Sequence, residues 1–219
     1  PNYLMRATGT INSPSDIQDA NYPQQFNIPM LALPAAWQVS SGEGVTVAVI
    51  DTGIYSNHSD LNDNISAGGF DFVLSTQTES DGTGGRDNNP EEEGGTIHGT
   101  HVAGIVAAEG NSIGIRGVAY DAGIIPLRAL GSDGVGTSAD IAEAILYAAG
   151  LVSAGGQQLA GPADVINLSL GSTDASSVME EAIEQALAAG SIVVAAAGND
   201  GNLARNSSLF TGHVVLLVG

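Results

Sequence analysis

Residues 45–53 read Val-Thr-Val-Ala-Val-Ile-Asp-Thr-Gly, a nearly continuous apolar run that ends in a carboxylate and a glycine. An unbroken run of this kind is typical of a strand buried on both faces of a parallel sheet. Similar runs follow at 124–130, 165–170, 192–197 and 214–218, and helical patterns separate most of them. Strands that alternate with helices predict a three-layer α/β domain, with a mostly parallel sheet and helices on both faces.

The composition limits the class of protein. The 219 residues, 43% of them hydrophobic, are enough for one sizeable core and a single domain. Five basic and 24 acidic residues give a net charge of −19, which disfavours nucleic acid as a partner. This acidity suits cation binding, a saline habitat, or simply a soluble surface with excess charge. No run approaches the roughly 20 apolar residues that a membrane helix needs, so we expect no membrane partner.

Three polar residues stand at positions that suit acyl-transfer chemistry. Asp51 ends the first predicted strand, His98 begins a predicted helix at 98–108, and Asn199 follows the predicted strand at 192–197. The carboxyl ends of parallel strands meet at one edge of a sheet, where sites form. An acid, a base and an amide that donates to an oxyanion are three parts of such a site. Taken singly, each residue is better explained as a turn former or a helix cap; the three together, in their local context, favour the catalytic interpretation.

These motifs resemble those of the subtilisin family of serine endopeptidases (the subtilases), over roughly Gln24 to Gly219. The matching segments are Val-Ile-Asp51-Thr-Gly-Ile, His98-Gly-Thr-His-Val-Ala-Gly, Asn167-Leu-Ser-Leu-Gly171 and Ala-Ala-Gly-Asn199. The resemblance implies a subtilisin-like fold and an Asp-His-Ser triad in which Asp51 is the acid and His98 the base. It also implies that Asn199 donates to the oxyanion.

The resemblance further implies two backbone segments that hold an extended peptide, together with a pocket for one of its side chains. In such strand addition, main-chain hydrogen bonds give affinity and the pockets give side-chain preference. The residues concerned are Gly134, Val135, Gly136, Ser169, Leu170, Gly171, Ala197 and Gly198. We therefore expect protein or peptide substrates. The small residues around the pocket predict a preference for large apolar or aromatic side chains.

The nucleophile is the missing part of this constellation. The family carries it in a Gly-Thr-Ser-Met-Ala motif after the oxyanion asparagine, and no such motif occurs up to Gly219. Gly136-Thr-Ser138-Ala has similar letters but falls between His98 and Asn199, where Ser138 is better explained as the cap of the helix that follows. We expect the serine beyond residue 219, a domain incomplete at its C-terminus, and little or no activity of this polypeptide alone.

The N-terminal part carries weaker signals. Residues 1–18 resemble the end of an inhibitory prodomain or a linker, although an ordinary extension explains them equally well, and the peptidase domain is expected at 19–219. Residues up to about 30 are polar and weakly periodic, which predicts a segment lying on the surface. The family implies a secreted, extracellular monomer with its own prodomain as a partner. No signal peptide is visible at Pro1.

One loop predicts a structural calcium site. Glu109-Gly-Asn-Ser-Ile-Gly-Ile115 resembles the family's calcium loop, in which backbone carbonyls and an asparagine side chain ring the ion. Calcium takes six to eight oxygen ligands, and a glycine-containing loop can turn several carbonyls inward. The implied ligands are Asp60, Glu109, Asn111, Ile113 and Ile115.

Two other functions fit parts of the pattern. A non-catalytic relative that binds peptides through the same segments needs no nucleophile. A nucleotide-binding phosphotransferase also places Asp-Thr-Gly after a strand, as actin-like ATPases do. However, neither a Walker-type nor a G-x-G-x-x-G run accompanies it, and the motifs at His98 and Asn199 stay unexplained.

Overall fold

The computed structural model describes residues 17–74, 85–92, 96–171, 176–198 and 216–218. Within these residues, six parallel strands form one sheet in the order β2-β3-β1-β4-β5-β6. The strands are β1 (Thr46–Asp51), β2 (Phe70–Asp71), β3 (Gly123–Arg128), β4 (Val165–Leu168), β5 (Ile192–Ala196) and β6 (Leu216–Val218). The helices are α1 (Asn27–Met30), α2 (Leu33–Ala36), α3 (His98–Ala107), α4 (Ser138–Ala148) and α5 (Ser177–Ala189). None of the helices in these ranges has the length and apolar character needed to cross a bilayer.

Strand β1 lies inside the sheet, and its alternate side chains enter two different cores. Val47 and Val49 pack on the face covered by α3. Ala48 and Ile50 pack on the opposite face, against α4 and α5. Successive side chains of a strand point to opposite faces, so a strand covered on both sides reads as a continuous apolar run. The predicted three-layer α/β fold is thereby confirmed, and the same alternation directs Asp51 towards the α3 side.

Helix α4 buries the apolar face that its sequence predicts. Its inward residues, all within the larger core, are Ile141, Ala144, Ile145 and Ala148. The residue that caps it was predicted wrongly, however. Thr137 has an extended backbone, with φ −91° and ψ 149°, and its hydroxyl accepts the Asp140 N–H at 3.1 Å. Ser138 is the first helical residue, and its exposed side chain is not the cap because its own backbone is already helical.

The segment before β1 is more buried than predicted. A third core holds Ile17, Ile28, Leu33, Trp37 and Tyr120. The indole and phenol rings of this core meet edge-on, with their centroids 5.5 Å apart. The expectation of a surface segment up to about residue 30 is wrong for Ile17 and Ile28. Sequence periodicity does not reveal that these residues are buried. The helices in this segment, α1 and α2, are only four residues long each, which is too short to show a helical period.

The carboxyl ends of three neighbouring strands lie side by side at one edge of the sheet. Asp51 at the end of β1 pairs in register with Arg128 at the end of β3. On the other side, Val49 pairs with Asn167 of β4. Arg128 is itself buried in an ion pair with Asp71 of β2. The chain segments that leave β1, β3 and β4 therefore start close together, as sites in parallel sheets require.

Candidate active site

Asp51 and His98 contact each other at the carboxyl end of β1. Nδ1 of His98 lies 2.7 Å from Oδ1 of Asp51. The Asp51 side chain is completely buried, whereas 47% of the His98 side chain is exposed. One partner is thus held rigidly in the core, and the other presents its imidazole to solvent.

The surroundings of Asp51 determine which nitrogen of His98 carries the hydrogen. Oδ1 of Asp51 also accepts the N–H of Thr52 at 2.8 Å, while the buried Oδ2 has no hydrogen-bond partner among the described residues. Burial raises the pKa of the Asp51 carboxyl above its ordinary value, and the hydrogen bonds from His98 and Thr52 oppose this rise. An ionised carboxylate can only accept, so Nδ1 must be the donor. The neutral imidazole then keeps Nε2 as an acceptor.

Two glycines allow α3 to approach the end of β1 closely enough for this contact. A Cβ on Gly99 would lie 2.1 Å from the carbonyl oxygen of Gly53 and 3.1 Å from Cβ of Asp51. Gly53 itself has φ 101°, a conformation that glycine adopts without steric penalty. The distance between the strand end and the helix start, and with it the Asp51–His98 contact, therefore depends on both positions.

A carboxylate from the preceding loop caps the start of α3. The residue at the cap position, Ile97, makes no side-chain hydrogen bond. Glu92 instead accepts the N–H groups of Gly99 at 3.0 Å and Thr100 at 3.1 Å, as well as the hydroxyls of Thr52 and Thr100. No sequence motif indicates Glu92. The apolar cap residue is the available signal, because the first N–H groups of a helix need an acceptor from elsewhere when that residue cannot supply one.

A cleft of about 400 Å³ opens beside the imidazole of His98. Six of the eight predicted substrate-binding residues line it: Gly134, Val135, Gly136, Ser169, Leu170 and Gly171. They form two segments, one after β3 and one after β4, on the lining of the same cleft.

Three apolar side chains that were not predicted as site residues also line this cleft. Leu130, Ile141 and Met179 are nearly buried and belong to the larger core. Ile141 lies on the apolar face of α4. The helical periodicity of that face indicates core packing, but the same periodicity is expected for a core residue that also faces a cleft. These side chains give the cleft an apolar wall.

Two predicted substrate-binding residues, one predicted catalytic residue and Ser138 need separate mention. Ala197 and Gly198 follow β5, which β4 separates from β1, and they do not line the cleft that the described residues form. Asn199 lies outside the described residues. Ser138 lines the cleft, but within the described ranges the imidazole of His98 hydrogen-bonds to Asp51 and not to Ser138.

The predicted calcium ligands lie around the loop that follows α3. Asn111 Nδ2 donates to Glu109 Oε2 at 3.1 Å, and the Ile115 N–H donates to Asp60 Oδ2 at 2.9 Å. Ile113 donates its N–H to the side chain of Asn111. The other oxygen of Asp60, Oδ1, is buried and has no hydrogen-bond partner among the described residues. Burial raises the pKa of the Asp60 carboxyl, and the negative charges of Asp19 and Glu109 raise it further, against the hydrogen bond from the Ile115 N–H and the nearby His58.

The donor set of this loop is mostly neutral. Across the described ranges, no group of three or more histidine, cysteine or carboxylate side chains is placed to hold a metal ion. A cation at this loop would therefore take most of its ligands from backbone carbonyls and the Asn111 amide. Calcium accepts such neutral oxygens, whereas zinc prefers nitrogen and sulfur ligands.

Comparisons with known proteins agree with this geometry. The model of the subtilase family matches residues 42–212. An extracellular protease of Xanthomonas campestris pv. campestris is 45% identical, over 78% of this chain and 32% of that protein. Thermitase of Thermoactinomyces vulgaris is 38% identical, over 88% of this chain and 61% of that protein. A solved structure of a protease from Pseudoalteromonas arctica superimposes with a TM-score of 0.84 at 38% identity, covering 91% of this chain and 64% of that one. The chain thus spans less than two thirds of each of these proteins.

Proposed function

The chain belongs to the subtilase family, and from that membership we propose that it supplies the acid, the base and the peptide-binding segments of a serine endopeptidase. The observation that carries this proposal is the 2.7 Å contact between the buried Asp51 carboxylate and the half-exposed His98 imidazole, at the edge of a cleft. The pairing of a buried acid with an accessible base is the arrangement that activates a nucleophilic hydroxyl.

In the proposed reaction, Nε2 of His98 takes the proton of a serine hydroxyl while the serine oxygen bonds to the carbonyl carbon of the substrate. Asp51 holds the imidazole in the required tautomer and stabilises the imidazolium. His98 then gives the proton to the leaving amine as the C–N bond breaks, and water hydrolyses the acyl-enzyme by the same steps. We propose that the serine lies outside residues 1–219 of the full-length protein and that this polypeptide alone is inactive.

Binding of an extended peptide between the segments 134–136 and 169–171 is part of the proposal. Main-chain hydrogen bonds would align the peptide, and the apolar wall of Leu130, Ile141 and Met179 favours apolar substrate side chains. We propose that Asn199 donates to the oxyanion, an interaction whose loss costs about 2.7–4 kcal/mol of transition-state stabilisation. Ala197 and Gly198 are proposed to border a pocket that accepts large apolar or aromatic side chains.

We further propose that the loop Glu109–Ile115 and Asp60 bind a structural calcium ion. Asp19, although close by, is already paired with Arg116 at 2.6 Å. The buried Oδ1 of Asp60, which has no hydrogen-bond partner among the described residues, and the nearby negative charge of Glu109 support a cation there. When bound, the ion would neutralise these carboxylates and hold the loop against the turn that contains Asp60.

Secretion is proposed from the relatives. Among them are proteins named extracellular protease, from Xanthomonas campestris, and minor extracellular protease Epr, from Bacillus subtilis. We propose that this protein is likewise secreted as a monomer and that residues 1–18 connect the domain to an inhibitory prodomain.

The test uses the full-length protein, expressed from its complete coding sequence and treated with a fluorophosphonate probe. We expect mass spectrometry to find one labelled serine outside residues 1–219. His98→Ala should abolish that labelling, whereas His101→Ala, which removes an exposed histidine from the same helix, should preserve it. Labelling of Ser138 would contradict the proposed location of the nucleophile. A folded protein that is not labelled at all would instead be a peptide-binding relative without catalytic activity.

A further inference from the structure

We infer that Glu92 is a positioning residue, whose carboxylate ties together the two backbone segments that carry Asp51 and His98. The inference rests on the proposed function of that pair. It comes from the contacts of Glu92, which reach the residue after Asp51 on one side and the two residues after His98 on the other.

The contacts on the strand side are direct. The Thr52 hydroxyl donates to Oε1 of Glu92, and the Thr52 N–H donates to Oδ1 of Asp51 at 2.8 Å. Thr52 therefore holds the acid of the pair with its backbone while its side chain holds Glu92. A displacement of the Glu92 carboxylate would be transmitted to the end of β1 through this single residue.

The contacts on the helix side use both carboxylate oxygens. Oε1 of Glu92 accepts the Gly99 N–H at 3.0 Å, and Oε2 accepts the Thr100 N–H at 3.1 Å and the Thr100 hydroxyl. Ile97 offers no side-chain acceptor for these N–H groups. Two direct hydrogen bonds also join this turn to the segment after β1: the Gly99 N–H donates to the Thr52 hydroxyl oxygen at 3.0 Å, and the Tyr55 N–H donates to the Thr100 hydroxyl oxygen at 2.9 Å. Glu92 adds to them the acceptor for the Thr100 N–H and a second acceptor for the Gly99 N–H, and so helps to fix the first turn of α3, which includes His98.

A carboxylate suits this position better than any other side chain. All the groups that face it are donors, and an ionised carboxylate is an acceptor with two oxygens. Its negative charge also lies at the positive end of the dipole of α3. Glutamine at position 92 would keep one acceptor oxygen but would place an amide NH₂ against an N–H donor. Alanine would remove every contact.

The neighbouring Glu91 provides a matched control. Its carboxylate accepts the N–H and the hydroxyl of Ser56, and none of its hydrogen bonds among the described residues reaches α3. Glu91 and Glu92 are adjacent in the same loop and carry the same charge, so their variants change composition and net charge identically. The two sets of variants differ in the contacts that are lost: the Glu92 variants lose hydrogen bonds to the start of α3, and the Glu91 variant does not.

The experiment compares Glu92→Gln, Glu92→Ala and Glu91→Gln in the full-length protein. We expect Glu92→Ala to lower kcat by ten- to about a hundredfold, because a misplaced catalytic group loses that much rate, and to leave KM nearly unchanged, because the peptide-binding segments lie on other elements. Glu92→Gln should show a smaller loss and Glu91→Gln none. In proton NMR spectra, the downfield Nδ1–H resonance of His98, assigned by its absence in His98→Ala, should shift or broaden only in the Glu92 variants.

The NMR measurement separates this inference from the proposed function. If the protein proves to have no peptidase activity, the His98 resonance still reports whether Glu92 holds the pair. An unchanged resonance in the folded Glu92 variants would overturn the inference, as would equal losses in the Glu91 and Glu92 variants. If Glu92→Ala does not fold, the comparison of Glu92→Gln with Glu91→Gln decides the outcome.

Discussion

The Cα of Gly99 faces the carbonyl oxygen of Gly53 at a distance that leaves no room for a side chain, since a Cβ at position 99 would lie 2.1 Å from that oxygen. We therefore expect Gly99→Ala to push α3 away from the end of β1. The cost of such overpacking is about 1–3 kcal/mol of the free energy of unfolding. Denaturant unfolding of the full-length protein measures the loss, and fluorophosphonate labelling should slow as His98 is displaced.

Gly161→Ala is the control for this prediction. A Cβ at Gly161 meets no atom within 4 Å, and its φ lies outside the left-handed region. We expect this substitution to change the free energy of unfolding by no more than about 0.5 kcal/mol. Equal losses at the two positions would show that the close approach of α3 to Gly53 is unimportant.

Asp51→Asn should have two effects that are measured independently, one on kcat and one on the pH dependence of the free energy of unfolding. The amide oxygen can still accept from His98 Nδ1, but the imidazole loses its preferred tautomer, and we expect kcat to fall by about 10⁴-fold. Burial raises the pKa of Asp51 above 3.8, so the folded state binds more protons than the unfolded state just above that pH. The free energy of unfolding of the native protein should therefore fall as the pH rises from 3.8 through the folded-state pKa, and the variant should lack this decrease.

Denaturant titrations at a series of acid pH values check the sign of this effect. The stability of Asp51→Asn relative to the native protein should increase as the pH rises from below 3.8. A relative stability that decreases instead would mean that the folded state favours the ionised form of Asp51.

Removal of calcium should lower the melting temperature if the proposed site is correct. Ligand at about a hundred times its Kd stabilises a folded protein by about 2.7 kcal/mol, and a chelator abolishes that contribution. We expect Asp60→Asn to lose most of the difference in Tm between calcium and chelator, because it removes a buried charge from the site. Asp63→Asn, which alters an exposed carboxylate nearby, should keep it. A Tm of the native protein that is insensitive to chelator would contradict the site.

The ion pair between Arg128 and Asp71 offers a test of the core beside the site. Both side chains are buried, so loss of one partner leaves a charge in a medium of low polarity. We expect Asp71→Leu to cost about 3–5 kcal/mol of the free energy of unfolding, and the double variant Asp71→Leu with Arg128→Met to cost less than the single one. A double-mutant cycle by denaturant unfolding measures the coupling. Additive losses would show that the pair does not act as a unit.

The features that the sequence predicted are those that depend on local pattern. The apolar run of β1 and the inward face of α4 follow from strand and helix periodicity, and both are confirmed. The juxtaposition of Asp51 with His98 was expected from their places at a strand end and a helix start. Their roles in catalysis, like that of Asn199, stay predictions.

The features that the sequence did not predict are of two kinds. Some depend on contacts between residues that are distant in the chain, and one depends on which of two adjacent residues caps a helix. Glu92 caps α3 from a loop, across a stretch with no periodic signal. Ile17 and Ile28 share a core with Tyr120, which lies far along the chain. Thr137 and Ser138 are both good capping residues, and the backbone angles of Thr137 decide between them.

The sheet order implies a difficult folding reaction. Strand β1 is enclosed by β3 and β4, yet β4 begins more than a hundred residues after β1 ends. At about 5–20 residues per second, a ribosome needs on the order of ten seconds to make the intervening chain. Until β3 is made, both edges of this apolar, β-branched segment without proline are unpaired, and the edge that pairs with β4 stays unpaired for the whole interval. Unpaired edges on such a segment are the signature of an aggregation-prone strand. A strand that is paired on both edges in the native protein is thus exposed to aggregation during synthesis. The rate of productive folding should be limited by closure of the long chain loops that bring β3 and β4 to β1, rather than by helix formation.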